Sequence, residues 1–170
     1  MSYSVRMYLD SGAEAALMSM RGTLHQAGAT PRIENATSLY INAINFDRAK
    51  VGSLRPVVKR IALRRLPVMV SLRELGIFTG EQTGLFVSVN GSTPLVNLRE
   101  QVRSAVENYV ERADDIDTSA WLPRVQLADL VDVAALPALM RSMHLPISAS
   151  IVRMRVVNND LRKTNERSCA

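Results

Sequence analysis

A chain of 170 residues, 47% hydrophobic and 22% charged, is long enough to bury a core as one globular domain without metal or disulfide staples. Its one cysteine, Cys169, excludes a disulfide within the chain and fits a reducing, cytoplasmic compartment; no apolar run nears the ~18 residues of a membrane span. The charge is +5, and of twenty-one basic residues only Lys50, Lys59 and Lys163 are lysine, a bias that suits anion recognition and that a GC-rich genome also produces.

Val5, Met7 and Leu9 alternate with Arg6 and Tyr8, which predicts a half-buried strand. Asp10-Ser11-Gly12 opens a helix carrying Ala13, Ala16, Leu17, Met20 and Leu24, closed by Gly28. Ser38 to Ile44 reads as a strand. Asp47 is placed to cap a basic segment running to Arg65, which Gly52 and Pro56 are expected to kink or delay. Strands follow over 68–78 and 84–89, joined by a turn at Thr79-Gly80-Glu81. Thr93-Pro94 starts a helix striped by Leu95, Leu98, Val102, Ala105, Val106, Tyr109 and Val110. A strand from Trp121 to Leu127, a short helix from Leu136 to Met143 and a strand from Ile147 to Val157 complete the order β-α-β-α-β-β-α-β-α-β. Two similar halves, each with antiparallel strands covered on one face by helices, satisfy that order: an α+β fold.

Chemistry enters at Trp121-Leu122-Pro123-Arg124-Val125-Gln126-Leu127-Ala128. This segment resembles the second signature of the two-histidine (2H) phosphoesterase superfamily, Trp-x-Pro-His-x-Thr-Leu-Ala, to which the 2′-5′ RNA ligase-like cyclic phosphodiesterases belong. Trp121, Pro123, Leu127 and Ala128 match; Arg124 stands at the histidine and Gln126 at the threonine. The first signature, His-x-Thr-Leu with a phenylalanine behind it, is similar to Tyr40-Ile41-Asn42-Ala43 and Phe46, with Tyr40 at the histidine and Asn42 at the threonine. The resemblance implies one bilobal domain over residues 1–170: two pseudosymmetric antiparallel sheets flank a groove, with helices on the outer faces. In the family, the histidines exchange protons at a 2′,3′-cyclic phosphate or 2′-5′ linkage, and the threonines hold phosphate oxygens.

The departures from the signature decide the expected function. Arginine is effectively never deprotonated, so Arg124 is no base and a very poor acid, and tyrosine titrates near ~10, so Tyr40 could act as an acid only if strongly tuned. His25 and His144 fall outside both motifs. No catalytic residue, cofactor or metal ligand is therefore assigned. Asp114-Asp115 with Asp117 lacks the ligand spacing of a calcium loop and reads as an acidic loop ending a helix. The methionines, Met18, Met20, Met140 and Met143 among them, read as core filler, and the basic segment from Arg48 to Arg65 as a solvated helix face.

Strand alternation lists what the groove should hold. With Val5, Met7, Leu9, Ile41, Ala43, Leu85, Val87, Val89, Val125, Leu127, Val152, Met154 and Val156 packed inward, the open face receives Arg6, Tyr8, Tyr40, Asn42, Phe86, Ser88, Arg124, Gln126, Arg153 and Arg155. Four guanidinium forks and three rings without a carboxylate suit phosphate and stacked bases. The expected partner is a nucleotide or RNA, bound without cleavage. A protein using the groove and a residual phosphodiesterase are the alternatives, and carboxylates from Glu34, Glu81 or Asp129 are the competing partners for the arginines.

Overall fold

The computed structural model describes residues 1–26, 39–78, 84–112, 116–117, 120–129 and 144–160. Alternation makes Ser2–Leu9 a strand, β1, with Val5, Met7 and Leu9 buried. Asp10 then caps α1 (Ser11–Gln26): its Oδ1 accepts from the Ala13 N–H at 3.0 Å, and its carbonyl accepts from Glu14 N–H at 2.9 Å. The helix buries Ala13, Leu17, Met20 and Leu24. Gly28 lies outside the described residues, as does the helix expected at 136–143.

After β2 (Tyr40–Asp47), α2 runs unbroken from Val51 to Arg65 despite Pro56. The missing proline N–H forfeits one bond, to the Gly52 carbonyl, and the rest of the helix ladder holds. Asp47 does not cap this helix. It ends β2; Arg48 turns the chain at φ 40°, and Lys50 sits at the N-cap without a side-chain bond. The antiparallel pair β3 (Val68–Phe78) and β4 (Gly84–Val89) leads to α3 (Thr93–Glu107), which opens on Pro94 and buries Leu95, Leu98, Val102, Ala105 and Val106. Tyr109 and Val110 lie beyond its end, where Asn108 is the C-cap, but still pack against the core. β5 spans Arg124–Asp129 and begins later than expected, because Trp121–Pro123 approach it outside the ladder. β6 is Ile147–Asn158.

Every strand pairing is antiparallel, and the order β1-β2-β5-β4-β3-β6 closes on itself. The two expected sheets are the halves of this ring, β2-β1-β6 and β3-β4-β5. β6 joins them along five residue pairs with β3, from Leu72↔Ile147 to Val68↔Ile151. The other junction, β2 with β5, is a single pair among the described residues, Ile41↔Val125. α1 packs on β5 and β6, α2 on β6 and α3, and α3 on β2 and β3. Their buried residues and the inward-facing strand residues form one apolar cluster. The alternate residues of each strand are left for the opposite face, which is the groove. This is an α+β fold.

One inward assignment fails. Val152 is 48% exposed, because the β1–β6 register shifts between Tyr8↔Arg153 and Leu9↔Ile151, so that Val152 is the extra residue of a bulge. Beyond it the alternation resumes with Met154 buried and Val156 packed on the core.

Candidate functional site

The β2–β5 seam sets the site. Ile41↔Val125 is the residue pair that joins β2 to β5 among the described residues, and alternation on either side of it turns Tyr40 and Asn42 of β2, and Arg124 and Gln126 of β5, to the groove side. Ile41, Ala43, Val125 and Leu127 are fully buried on the other side, so the strand pattern itself holds the four polar residues in place.

Neighbouring strands add the remaining expected residues. Arg6 pairs with Asn42 on one side and Arg155 on the other; Tyr8 pairs likewise with Tyr40 and Arg153. Across the seam, Phe86 pairs with Gln126 and Ser88 with Arg124. Guanidinium groups lie over rings along this face: Arg6 is 4.1 Å from the Tyr40 ring centroid, Arg153 is 4.6 Å from Tyr8, and Arg124 is 5.3 Å from Phe86. Such contacts contribute roughly 0.5–1 kcal/mol at exposed sites and more when desolvated. The Tyr8 and Tyr40 rings tilt against each other with centroids 6.2 Å apart.

Burial divides the residues into a floor and a rim. Arg6 and Tyr8 are only 5% and 7% exposed. Arg6 donates from Nε to Ser4 Oγ at 3.0 Å and from Nη2 to Asn159 Oδ1 at 2.8 Å, which fixes its fork. Arg124, Arg153 and Arg155 are exposed. Ser88 Oγ accepts the Glu74 N–H at 3.1 Å, and Phe86 lies over Gly76, where a side chain would run into the ring. Glu34, Glu81 and the Asp129 side chain lie outside the described residues.

Below the seam, β2 parts from β5, and a cleft of about 150 Å³ opens between Asn42, Asn45, Arg99, Asp117, Trp121 and Arg124. Trp121 closes one wall, donating its Nε1–H to the Asn42 carbonyl at 2.8 Å, where no ladder bond from β5 is available. Arg99 lies over the Trp121 ring at 5.4 Å. Two buried atoms here have no hydrogen-bond partner among the described residues: Asn42 Oδ1 and Arg99 Nε. The neighbouring bonds fix which way the amide points. Ionised Asp117 only accepts, so Asn45 turns its Nδ2 toward it at 3.4 Å; Asn45 Oδ1 therefore accepts from Asn42 Nδ2 at 2.8 Å. Asn42 Oδ1 is left facing the cleft. A buried acceptor and a buried donor together fit a group that both donates and accepts, such as a hydroxyl.

Arg99, Asp117 and the Trp121 indole are additions to the expected site residues. Asp117 also brings a carboxylate to a site expected to hold none. His25 and His144 are exposed, one in the last turn of α1 and the other ahead of β6. Among the described residues, no group of three His, Cys, Asp or Glu residues could hold a metal ion, and no helix is long and apolar enough to cross a membrane.

Neither a family model nor a curated protein sequence matches the chain. Solved structures do. TT0787 of Thermus thermophilus superposes with a TM-score of 0.66 at 19% identity, over 93% of this chain and 88% of that one. The MHV ns2 PDE domain superposes with a TM-score of 0.59 at 10% identity, over 92% and 95%. The chain shares the fold of these two structures. At these identities the fold is what the proteins share, and it agrees with the element order read from the sequence.

Proposed function

We propose that the groove binds a phosphate-bearing ligand, a nucleotide or RNA segment, without cleaving it, and that both His-x-Thr positions of the 2H fold are degenerate. The observation that carries this reading is the set of guanidinium–ring pairs on one face, Arg6–Tyr40, Arg153–Tyr8 and Arg124–Phe86. The exposed forks of Arg124 and Arg153 suit phosphate oxygens, and the aromatic side chains beside them suit a base. The cleft at Asn42 and Arg99 supports a sugar hydroxyl beside the phosphate, since it holds one buried acceptor and one buried donor.

A thermal-shift series tests the proposal. Phosphate-bearing nucleotides are expected to raise the melting temperature more than nucleosides, by mass action on the folded state, with a gain that shrinks at high salt. Arg124→Ala should remove most of that gain and leave the fold intact, because the side chain is exposed. Nucleotides that stabilise no more than matched ionic strength would sink the idea.

One observation favours a second reading. Asp117 lines the same cleft as Arg124, which supports a carboxylate as the base of a residual phosphodiesterase. In that reading Asp117 takes a proton from the attacking water, Tyr40 protonates the departing ribose oxygen, and Arg124 stabilises the charged transition state. Incubation with 2′,3′-cyclic nucleotides separates the two readings. Binding without hydrolysis is expected; turnover lost in both Asp117→Asn and Tyr40→Phe would establish the second reading.

A further inference from the structure

Among the described residues, the second half of β6, whose Arg153 and Arg155 also border the groove, has a partner strand on one side only. β3 pairs with β6 as far as Val68↔Ile151, and the preceding Pro67 has no N–H to extend the ladder. β1 pairs with the other side of β6 as far as Asn158. Among the described residues, 152–157 therefore offer a row of backbone donors and acceptors to one side. Beside this edge a cleft of about 770 Å³ runs between α2 and β6. Val58, Ala62, Leu66, Met154 and Val156 line it with apolar surface, while Leu63 and Val152 at its mouth are 77% and 48% exposed. Arg55, Lys59, Arg153 and Arg155 also line it, without an acidic residue.

We propose that this edge accepts an extended acidic segment of a partner protein as an added strand. Aliphatic side chains of the segment enter the cleft, and its carboxylates meet Arg55, Lys59, Arg153 and Arg155. Charge selects this occupant. A second copy of the same edge brings four more cations and is repelled, so the basic rim both discourages self-pairing and favours an acidic strand. Nucleic acid fits less well. Among the described residues, no aromatic side chain lines the cleft to stack a base, and phosphodiester oxygens only accept hydrogen bonds, whereas a strand edge presents donors and acceptors in alternation.

The test pans a displayed library of random dodecapeptides against the full chain and, in parallel, against Arg55→Glu/Lys59→Glu, both exposed positions of α2 outside the groove. Peptides enriched on the parent should alternate Asp or Glu with aliphatic residues. A synthetic copy of the most enriched peptide, followed by fluorescence anisotropy, should bind the double variant at least tenfold more weakly and Leu63→Asp likewise. Arg124→Ala should bind it normally. N-methylation of alternate peptide amides should abolish binding in one register and spare it in the other, and amide resonances of 152–157 should shift on binding. Equal enrichment on parent and variant, enriched peptides without acidic residues, or indifference to N-methylation at every position would overturn the proposal. Binding of a dodecamer of oligouridylate that is lost in Arg55→Glu/Lys59→Glu, with no acidic peptide enriched, would reassign the cleft to nucleic acid.

Discussion

Asp10 shows how much one side chain carries at the edge of this fold. Its Oδ1 caps α1 at Ala13, its Oδ2 accepts the Ser150 N–H at 2.6 Å, and its own N–H reaches the Ser150 carbonyl at 2.8 Å, so one residue ties the helix start to β6. The N–H bonds to Ala13 and Ser150 hold its carboxyl below the usual range. The folded pKa is depressed, so the contribution is fully present above the unfolded value near ~3.9 and is lost as pH falls through the lower, folded one. Asp10→Ala should cost roughly 1–2 kcal/mol at pH 7. Urea unfolding at pH 7 and pH 2.5 should show the gap between parent and variant narrowing in acid. Alternation alone makes the facing of Tyr40, Asn42, Arg124 and Gln126 legible, since their sequence neighbours are plainly apolar. Arg99 is not legible in this way: it directly follows the buried Leu98 on α3, and only the long arginine side chain lets it lie over Trp121. Asp117 escapes a reading of the sequence because its place depends on where a loop ends rather than on any periodicity.

Among the elements, the strands are legible in the sequence and their irregularities are not. Gly76 marks one such irregularity. It sits opposite Phe86 in the β3–β4 pair, and the ring fills the space that a methyl group would need. Gly76→Ala is expected to cost about 1–3 kcal/mol by overpacking. In a Phe86→Ala background the same change should be nearly neutral, and a double-mutant cycle by chemical denaturation measures the difference. Equal costs in both backgrounds would mean that the ring does not set the constraint. Since Phe86 also lies against Arg124, the single variant should lose part of the nucleotide-induced stabilisation as well. The bulge at Val152 is hidden for a related reason: an inserted residue inverts the facing of everything that follows, and the apolar and basic residues of β6 do not show where the shift occurs. Pro56 misleads in the opposite direction. A proline forbids one bond, and tertiary packing of Leu54 and Val58 outweighs that loss.

Over the whole molecule, element order is enough to anticipate the antiparallel α+β fold, while the junctions between its halves are not legible in it. Long-range pairing carries no local sequence signal, and the contrast between five pairs at β3–β6 and one at β2–β5 exists only in three dimensions. Charge follows the same division. Within a net charge of +5, Arg124 and Arg153 lie at the groove while Arg55 and Lys59 line the cleft against α2, so the two surfaces share one electrostatic sign.

The single-pair junction has a dynamic consequence. A ring clasped at one point opens there first, and each opening exposes the amide hydrogens on both sides of the gap to solvent. In deuterium oxide, peptides covering 42–45 and 124–127 should take up label sooner than those covering the β1–β6 ladder. A nucleotide held by Asn42 on one strand and Arg124 on the other acts as a second clasp, so the two segments should slow together and by the same factor. Slowing on one strand alone would place the nucleotide beside the junction rather than across it.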